Sequence, residues 1–188
     1  MPNAGPFRSP PGPGDVLDLA VLAALSDGEA APRTVVQTVR CLCRPWLHPT
    51  TDVVCARLAA HVDDGHAVSL STGAVRLTRT GRRVLGSYVI HGVRSANHGL
   101  EELGESLRLS LAHHLTAEER RELHEQLLDA RTRCLSAQRN RLAASGARDQ
   151  VVDGSIRYGI ALAEARLRAL RGLLAPKLRN YFRPEIST

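Results

Sequence analysis

The period of the apolar residues changes abruptly directly after Asp63-Asp64-Gly65. Ahead of that turn, apolar residues recur every three or four positions, which is typical of amphipathic helices. Behind it, residues 67–71 and 74–78 alternate apolar and polar side chains, which predicts two short strands. Thr72-Gly73 lies between them and favours a tight turn, so we expect a β-hairpin set among helices.

Two helices are predicted near the beginning of the chain, from the residues that favour the start and the end of a helix. Asp15 can cap the first helix, and Ser26-Asp27-Gly28 can end it. The second helix runs from Arg33 to Cys43, because the residue before Pro45 is driven away from helical geometry.

A third helix is predicted before the hairpin and a fourth behind it. Thr50 or Thr51 can cap the third helix, residues 52–62, which we expect to place Val62 on its inner face. Thr78 can cap the fourth. Three helices, a hairpin and an exit helix are the layout of a winged helix, in which the third helix enters DNA and the hairpin is the wing.

The second half of the chain is predicted to be helical throughout. Thr116-Ala117-Glu118-Glu119 is a capping box, in which threonine and glutamate at three residues' distance start a helix. An earlier apolar stripe consists of Leu103, Leu107 and Leu111. The helix after the capping box carries a stripe of Leu123, Leu127, Ala130, Cys134 and Ala137.

The last helix has the clearest periodicity of the chain, with apolar residues at spacings of 4, 3, 4, 3 and 4. Such a seam is typical of a coiled coil. The small winged helix leaves little to cover it, and monomers rarely expose so long an apolar stripe. We therefore expect a homodimer. The predicted dimerisation residues are Ile156, Ile160, Ala163, Leu167, Leu170 and Leu174.

These elements predict a mainly α-helical protein with a small β-hairpin, an N-terminal winged helix-turn-helix and a C-terminal region of long dimerising helices. The first 14 residues contain five prolines and three glycines, which favours a disordered lead-in. The expected divisions are a lead-in at 1–14, a winged helix at 15–91, a hinge at 92–99, a dimerisation domain at 100–176 and a tail at 177–188.

The net charge of +6 points towards an anionic partner. It is spread along the chain, since residues 1–93 hold 9 arginines against 7 acids and residues 94–188 hold 16 basic residues against 12 acids. No apolar run is long enough to span a membrane, so we expect no membrane partner and a cytoplasmic location. No nucleophile elbow, phosphate-binding glycine loop or HExxH pattern is present, so we do not expect an enzyme.

The four cysteines indicate free thiols more than a metal site or disulfides. Cys41 and Cys43 are too close together for the usual zinc spacing, and no matching pair follows them. Three of the four cysteines, which also include Cys55 and Cys134, lie among apolar residues on predicted helices, so we expect buried and reduced thiols.

With these elements in place, the chain resembles the PadR family of bacterial transcriptional regulators, in a divergent form. The resemblance lies in residues 52–70 (DVVCARLAAHVDDGHAVSL) and 74–85 (AVRLTRTGRRVL), and in a long helical second half. The residues that match the family's return from the wing are Leu77, Thr78, Gly81, Arg82, Arg83 and Leu85. Family members usually carry aromatic residues where this chain has Val54-Cys55 and Val75, and their wing is longer.

The resemblance implies a regulator, of the repressor type, that binds a palindromic operator as a homodimer and is released by a small aromatic or amphipathic effector. Arg57 is the candidate for reading a base, because a guanidinium can make paired hydrogen bonds to guanine. The other candidate contacts to double-stranded DNA are Thr50, Thr51, His61, Arg40, Arg44, Ser71, Thr72 and Arg76, with Asp52 and Ala56 beside them on the third helix.

Two alternatives remain open. The absent aromatic residues and the short wing favour a ligand-sensing or protein-binding module with weak or no specific DNA binding, in which Trp46 could stack on an effector. A metal site is the other alternative, and its candidates are His91, His98, His113, His114 and His124. We expect neighbouring His113 and His114 to point to different faces of a helix, and so we expect no metal and no other cofactor.

Overall fold

The structure is a computed structural model, and it describes residues 13–44, 46–92, 98–144 and 150–174. The predicted lead-in and tail lie almost wholly outside these ranges, as do most of the hinge and Pro45. In order along the chain, the elements are α1 (Pro13–Ala23), α2 (Pro32–Cys43), α3 (Thr51–Asp63), β1 (Ala67–Ser69), β2 (Val75–Leu77), α4 (Arg79–His91), α5 (His98–Ser110), a 3₁₀ turn (Ala112–His114), α6 (Ala117–Ala144) and α7 (Gln150–Leu174).

The predicted fold class, mainly α-helical with one small β-hairpin, is confirmed for the described residues. The chain divides into two compact units, Met1–Arg120 and Arg121–Thr188, which we call unit 1 and unit 2. No helix in the described part of the chain is long and apolar enough to cross a membrane.

The core of unit 1 is built around α1, which packs against α2, α3, α4 and α5. Val16, Leu19, Ala20, Val21 and Leu22 have no solvent exposure. From Val16 onward, Asp18 is the one charged residue of α1, and a helix that is otherwise apolar on all its sides belongs in an interior. It begins at Pro13, two residues before the predicted Asp15, because proline fits the first turn of a helix.

The hairpin has the predicted position but shorter strands. Ala67 pairs with Leu77 and Ser69 with Val75, and Gly73 adopts φ +79° in the connecting turn. Ala30, ahead of α2, joins Val75 through two backbone hydrogen bonds of 2.9 and 2.8 Å, and so adds a third extended segment to the hairpin. Three helices, a hairpin with this extra segment and α4 behind it make unit 1 a winged helix.

Unit 1 continues past the boundary predicted at residues 92–99, because α5 packs on α1 and α4. The stripe of Leu103, Leu107 and Leu111 is buried within unit 1. The guanidinium of Arg108 donates hydrogen bonds to the carbonyls of Val89 (2.7 Å) and Ile90 (2.6 Å), at the end of α4.

In unit 2, the final seam faces α6 of the same chain. Ala163 and Leu167 form a buried cluster with Leu135, and Leu128 and Ile160 pack against it. The seam residues are therefore covered by α6 of the same chain, although we expected a second copy of the chain to cover them. Leu170 is also buried, Ile156 is half-buried, and the side chain of Leu174 lies outside the described residues.

The stripe predicted along α6 is correct only in part. Leu123 and Leu127 are buried, but Ala130 and Ala137 are exposed and Leu135 is buried in their place. Leucine removes more apolar area from water than alanine, so the helix turns Leu128 and Leu135, one heptad apart, towards α7.

Candidate nucleic-acid interface

The first turn of α3 is held by a residue from α2. Nε of Arg40 donates to the carbonyl of Pro49 (3.1 Å), and Nη2 donates to Oγ1 of Thr51 (3.1 Å). Thr50 is the N-cap, and its Oγ1 accepts from the backbone N–H of Val53 at 3.4 Å. Three predicted contact residues, Arg40, Thr50 and Thr51, thus meet at the start of the predicted reading helix, and all three are exposed.

Arg57 lies on the flank of α3 and already has a partner in the protein. Its Nη1 is 3.5 Å from Oδ2 of Asp18 in α1, and 43% of its side chain is exposed. A base or phosphate would therefore share this guanidinium with Asp18 or displace that carboxylate.

His61 was predicted as a DNA contact, and this prediction is wrong because the residue is 5% exposed. It follows Leu58 by three positions and Val54 by seven, which places it on the buried face of α3. Its Nδ1 lies 3.2 Å from Nδ1 of His66, and its Nε2 lies 3.5 Å from Oδ1 of Asp18.

The outward face of α3 is small, apolar and acidic. Val53 is 46% exposed. Other exposed residues of this helix are Asp52, Cys55, Ala56, Ala59, Ala60 and Asp63. Alanine and valine can contact the methyl group of thymine but cannot form hydrogen bonds with base edges. Carboxylates are repelled by phosphates, so the chemistry of this face limits base reading.

The remaining predicted contacts are exposed on the wing and at the end of α2. Ser71 and Thr72 form the hairpin turn, where Oγ1 of Thr72 accepts from the N–H of Ala74 at 3.4 Å. Arg76 projects from β2, and Arg44 is the C-cap of α2. Both arginines are exposed.

Trp46 is 37% exposed, and its indole Nε1 donates to Oε2 of Glu102 in α5 at 3.3 Å. A separate cavity of about 140 Å³ in unit 1 is lined by residues that include Leu85, Val89, Arg82 and His114. Typical ligand pockets measure roughly 300–1,000 Å³. The cavity is therefore small for an aromatic effector, and Trp46 does not line it.

The thiols differ from the sequence prediction. Cys43 is buried, and burial raises its pKa to about 11. Cys41 and Cys55 are exposed, and Cys134 is half-buried. The prediction of buried thiols is therefore wrong for Cys41, on the outward side of α2, and for Cys55, on the outward side of α3.

The expectation about His113 and His114 is also wrong. They lie in the 3₁₀ turn, with ring centroids 3.9 Å apart, and Asp27 is beside them. Burial lowers the pKa of His114, as do His113 and Arg82, against the opposing charge of Asp27. Part of the signal for this turn was present in the sequence, since a capping box at Thr116 requires the preceding helix to end before that residue.

Comparison with protein families finds no match, and comparison with curated proteins finds none either. Among solved structures, the chain is similar to Bacillus subtilis PadR, with 17% identity over 90% of this chain and 97% of that one and a TM-score of 0.39. It is similar to the Vibrio cholerae virulence activator AphA, with 16% identity over 88% and 99% and a TM-score of 0.38.

A further similarity is to Bacillus subtilis PadR in complex with operator DNA, with 15% identity over 85% of this chain and 96% of that one and a TM-score of 0.36. The description of unit 1 as a winged helix rests on its own helices and hairpin.

Proposed function

We propose that this protein is a winged-helix transcriptional regulator that binds double-stranded DNA through the start of α3 and the wing. The observation that carries the proposal is the attachment of Arg40 to Pro49 and Thr51, which fixes the first turn of α3 while leaving it exposed. The N-terminus of a helix offers unpaired N–H groups and a positive dipole end to a phosphate.

Contacts with phosphates would supply most of the affinity. Arg44, Arg76 and the exposed Arg33 carry positive charge, whereas the outward face of α3 carries alanines and two aspartates. Phosphate contacts position a protein without reading sequence. We therefore expect the affinity for DNA to fall steeply as the salt concentration rises. We expect few contacts with bases, and the candidates are thymine methyl groups and one guanine opposite Arg57.

A homodimer is part of the proposal, on a face of α7 other than the predicted seam. Tyr158 is 72% exposed and Leu162 is 36% exposed, and the exposed Ala165 and Ala169 continue the same side of the helix. Two copies related by a twofold axis would read half-sites about 34 Å apart in a palindromic operator. Light scattering on Leu162→Glu, with Thr132→Glu as the control, tests this face, and an unchanged dimer would exclude it.

The natural cysteines provide a test of DNA binding. Cys55 is exposed on α3, and Cys41 is exposed on α2. Alkylation of the full chain with and without genomic DNA fragments should show protection of Cys55, while Cys134, half-buried on α6, serves as the internal reference. Equal labelling of Cys55 in both conditions, on DNA shown to be bound, would contradict entry of α3 into the groove.

The second candidate function is a ligand-sensing or protein-binding module without specific DNA binding. The alanine-rich and acidic outward face of α3 favours it. Electrophoretic shifts with labelled genomic fragments distinguish the two, because a regulator keeps a specific complex under excess unrelated DNA and this module does not. Release by a small aromatic or amphipathic effector, with Trp46 as a contact, belongs to either candidate. Fluorescence of Trp46 reports such binding.

A further inference from the structure

Three side chains with metal-binding atoms meet in unit 1 from two separate turns. Asp27 lies in the turn after α1, and His113 and His114 lie in the 3₁₀ turn after α5. One ligand atom from each of the three lies within 4.8 Å of the others, and Nε2 of His114 is 3.8 Å from Oδ1 of Asp27. Residues more than 80 positions apart in the chain thus converge on one point.

We propose that Asp27, His113 and His114 form a binding site for a divalent transition-metal ion of the zinc, cobalt and nickel type. Two imidazoles and one carboxylate are a donor set that these ions accept. With bonds of about 2.0–2.1 Å, a tetrahedral ion holds its donors roughly 3.3 Å apart. The three side chains are therefore close to, but wider than, the spacing of the bound state.

Asp27 can close the remaining distance at little cost. Its side chain is 90% exposed, so its rotation disturbs no packing. The histidines, in contrast, are placed by the turn that carries them, because Leu111, Ala112 and Leu115 around them are buried. One mobile carboxylate and two positioned imidazoles allow the site to form without rearrangement of the core.

His113 is oriented by a second interaction. Its Nδ1 lies 2.7 Å from the carbonyl oxygen of Ser110. A carbonyl can only accept, so Nδ1 carries the proton and Nε2 of the neutral ring carries the lone pair. Histidines that bind metals commonly donate their other N–H to such an oxygen, which fixes the tautomer and the ring.

The position of the site defines its effect on the protein. An ion there would link the turn after α1 to the 3₁₀ turn after α5. It would thereby cross-link two segments of unit 1 that are distant in the sequence. Three protein ligands leave a fourth tetrahedral position open to water or another small ligand. Arg82 is the cation beside His114, and its exposed guanidinium works against the ion. Binding of the ion is independent of the proposed binding of DNA.

The experiment is a titration of the full chain, freed of metal by a chelator, with Zn²⁺ alone in a calorimeter and with Co²⁺ followed by visible absorption. The chain carries Cys41→Ser and Cys55→Ser, so that exposed thiols do not bind the ions. We expect one ion per chain and a melting temperature that rises with Zn²⁺, because a ligand of the native state stabilises it.

Variants at the three ligands test the assignment. Asp27→Asn, His113→Ala and His114→Ala are each expected to lower the affinity for Zn²⁺ at least tenfold and to remove the rise in melting temperature. His48→Ala, at an exposed histidine outside the cluster, is the matched control and should leave both unchanged. Asp27→Asn alters only an exposed side chain, so it should fold. Affinity equal to the parent's in Asp27→Asn and His113→Ala, or no binding by the parent, would overturn the proposal.

Discussion

Nδ1 of His61 lies 3.2 Å from Nδ1 of His66, and both rings are buried. One of the two nitrogens must donate and the other accept. Nε2 of His61 lies 3.5 Å from Oδ1 of Asp18, which is a contact between the ring and the carboxylate rather than a hydrogen bond. Because Arg57 pairs with Asp18 as well, these contacts connect α1, α3 and the start of the wing.

The first prediction separates packing from DNA contact at His61. His61→Ala removes the partner of a buried ring and leaves a void, so we expect the free energy of unfolding to fall by about 1–3 kcal/mol. Urea unfolding followed by circular dichroism measures the loss, with exposed His48→Ala as the control. DNA affinity of the folded variant should equal the parent's, and a loss of affinity without a loss of stability would restore His61 as a contact.

Gly81 and Gly86, both in α4, form a matched pair for the second prediction. A Cβ at Gly81 would collide with the backbone carbonyl of His66, whose oxygen also accepts from the N–H of Thr78 at 3.0 Å. A Cβ at Gly86 would meet nothing within 4 Å. Gly81→Ala should therefore cost about 1–3 kcal/mol, whereas Gly86→Ala should stabilise by about 0.5–1 kcal/mol because it favours the helix.

Thermal and urea unfolding of the two variants measure the difference. Equal stabilities of Gly81→Ala and Gly86→Ala would mean that α4 does not approach His66 as closely as the structure has it. This close approach also explains why a glycine stands in the Leu-Thr-x-x-Gly-Arg-Arg pattern: α4 passes directly over the backbone of His66, the residue before β1.

Local signals were predictable from the sequence because they depend on neighbours along the chain. The caps at Thr50 and Thr78 are confirmed by their hydrogen bonds to Val53 and Gly81. The capping box is confirmed too, since the N–H of Thr116 donates to Glu119 at 2.8 Å and the N–H of Glu119 donates to Oγ1 of Thr116 at 3.2 Å.

What depends on tertiary contacts was harder to predict. Hydrophobicity selected Val62 for the inner face of α3, whereas helix geometry places His61 there, and polar partners from α1 and the wing make its burial tolerable. The seam of α7 was recognised, but its period does not tell whether Leu167 meets a second copy or α6 of the same chain. The cluster at Asp27 was missed because it joins two distant turns.

The third prediction concerns thiol reactivity. Burial raises the pKa of Cys43 to about 11, so at pH 8 only about 0.1% of it is thiolate. Iodoacetamide should modify Cys41 and Cys55 in the native protein and leave Cys43 unmodified until denaturant is added. Peptide mass mapping after brief labelling measures this order. Labelling of Cys43 at the rate of Cys41 would show that the inner face of α2 opens readily.

Arg108 gives the fourth prediction. It donates to two carbonyls at the end of α4, where helix geometry supplies no partner. Burial lowers its pKa, with the nearby charge of Glu105 opposing the shift. Arg108→Ala should lower the free energy of unfolding by about 1–3 kcal/mol, since it leaves Val89 and Ile90 without these hydrogen bonds. Exposed Arg83→Ala is the control, and equal stability of the two variants would contradict this role.

The last prediction tests Arg57 through its competition with Asp18. Arg57→Ala should weaken binding to a specific DNA fragment by about 1–3 kcal/mol if the guanidinium contacts a base. Asp18→Asn removes the competing carboxylate charge, so it should strengthen DNA binding even though it weakens an interaction inside unit 1. Fluorescence anisotropy at fixed salt measures both, with unfolding curves to confirm that each variant is folded. Opposite shifts in affinity place Arg57 on the DNA. Unchanged affinity for DNA in both variants would mean that Arg57 stabilises the packing of α3 against α1 and does not contact DNA.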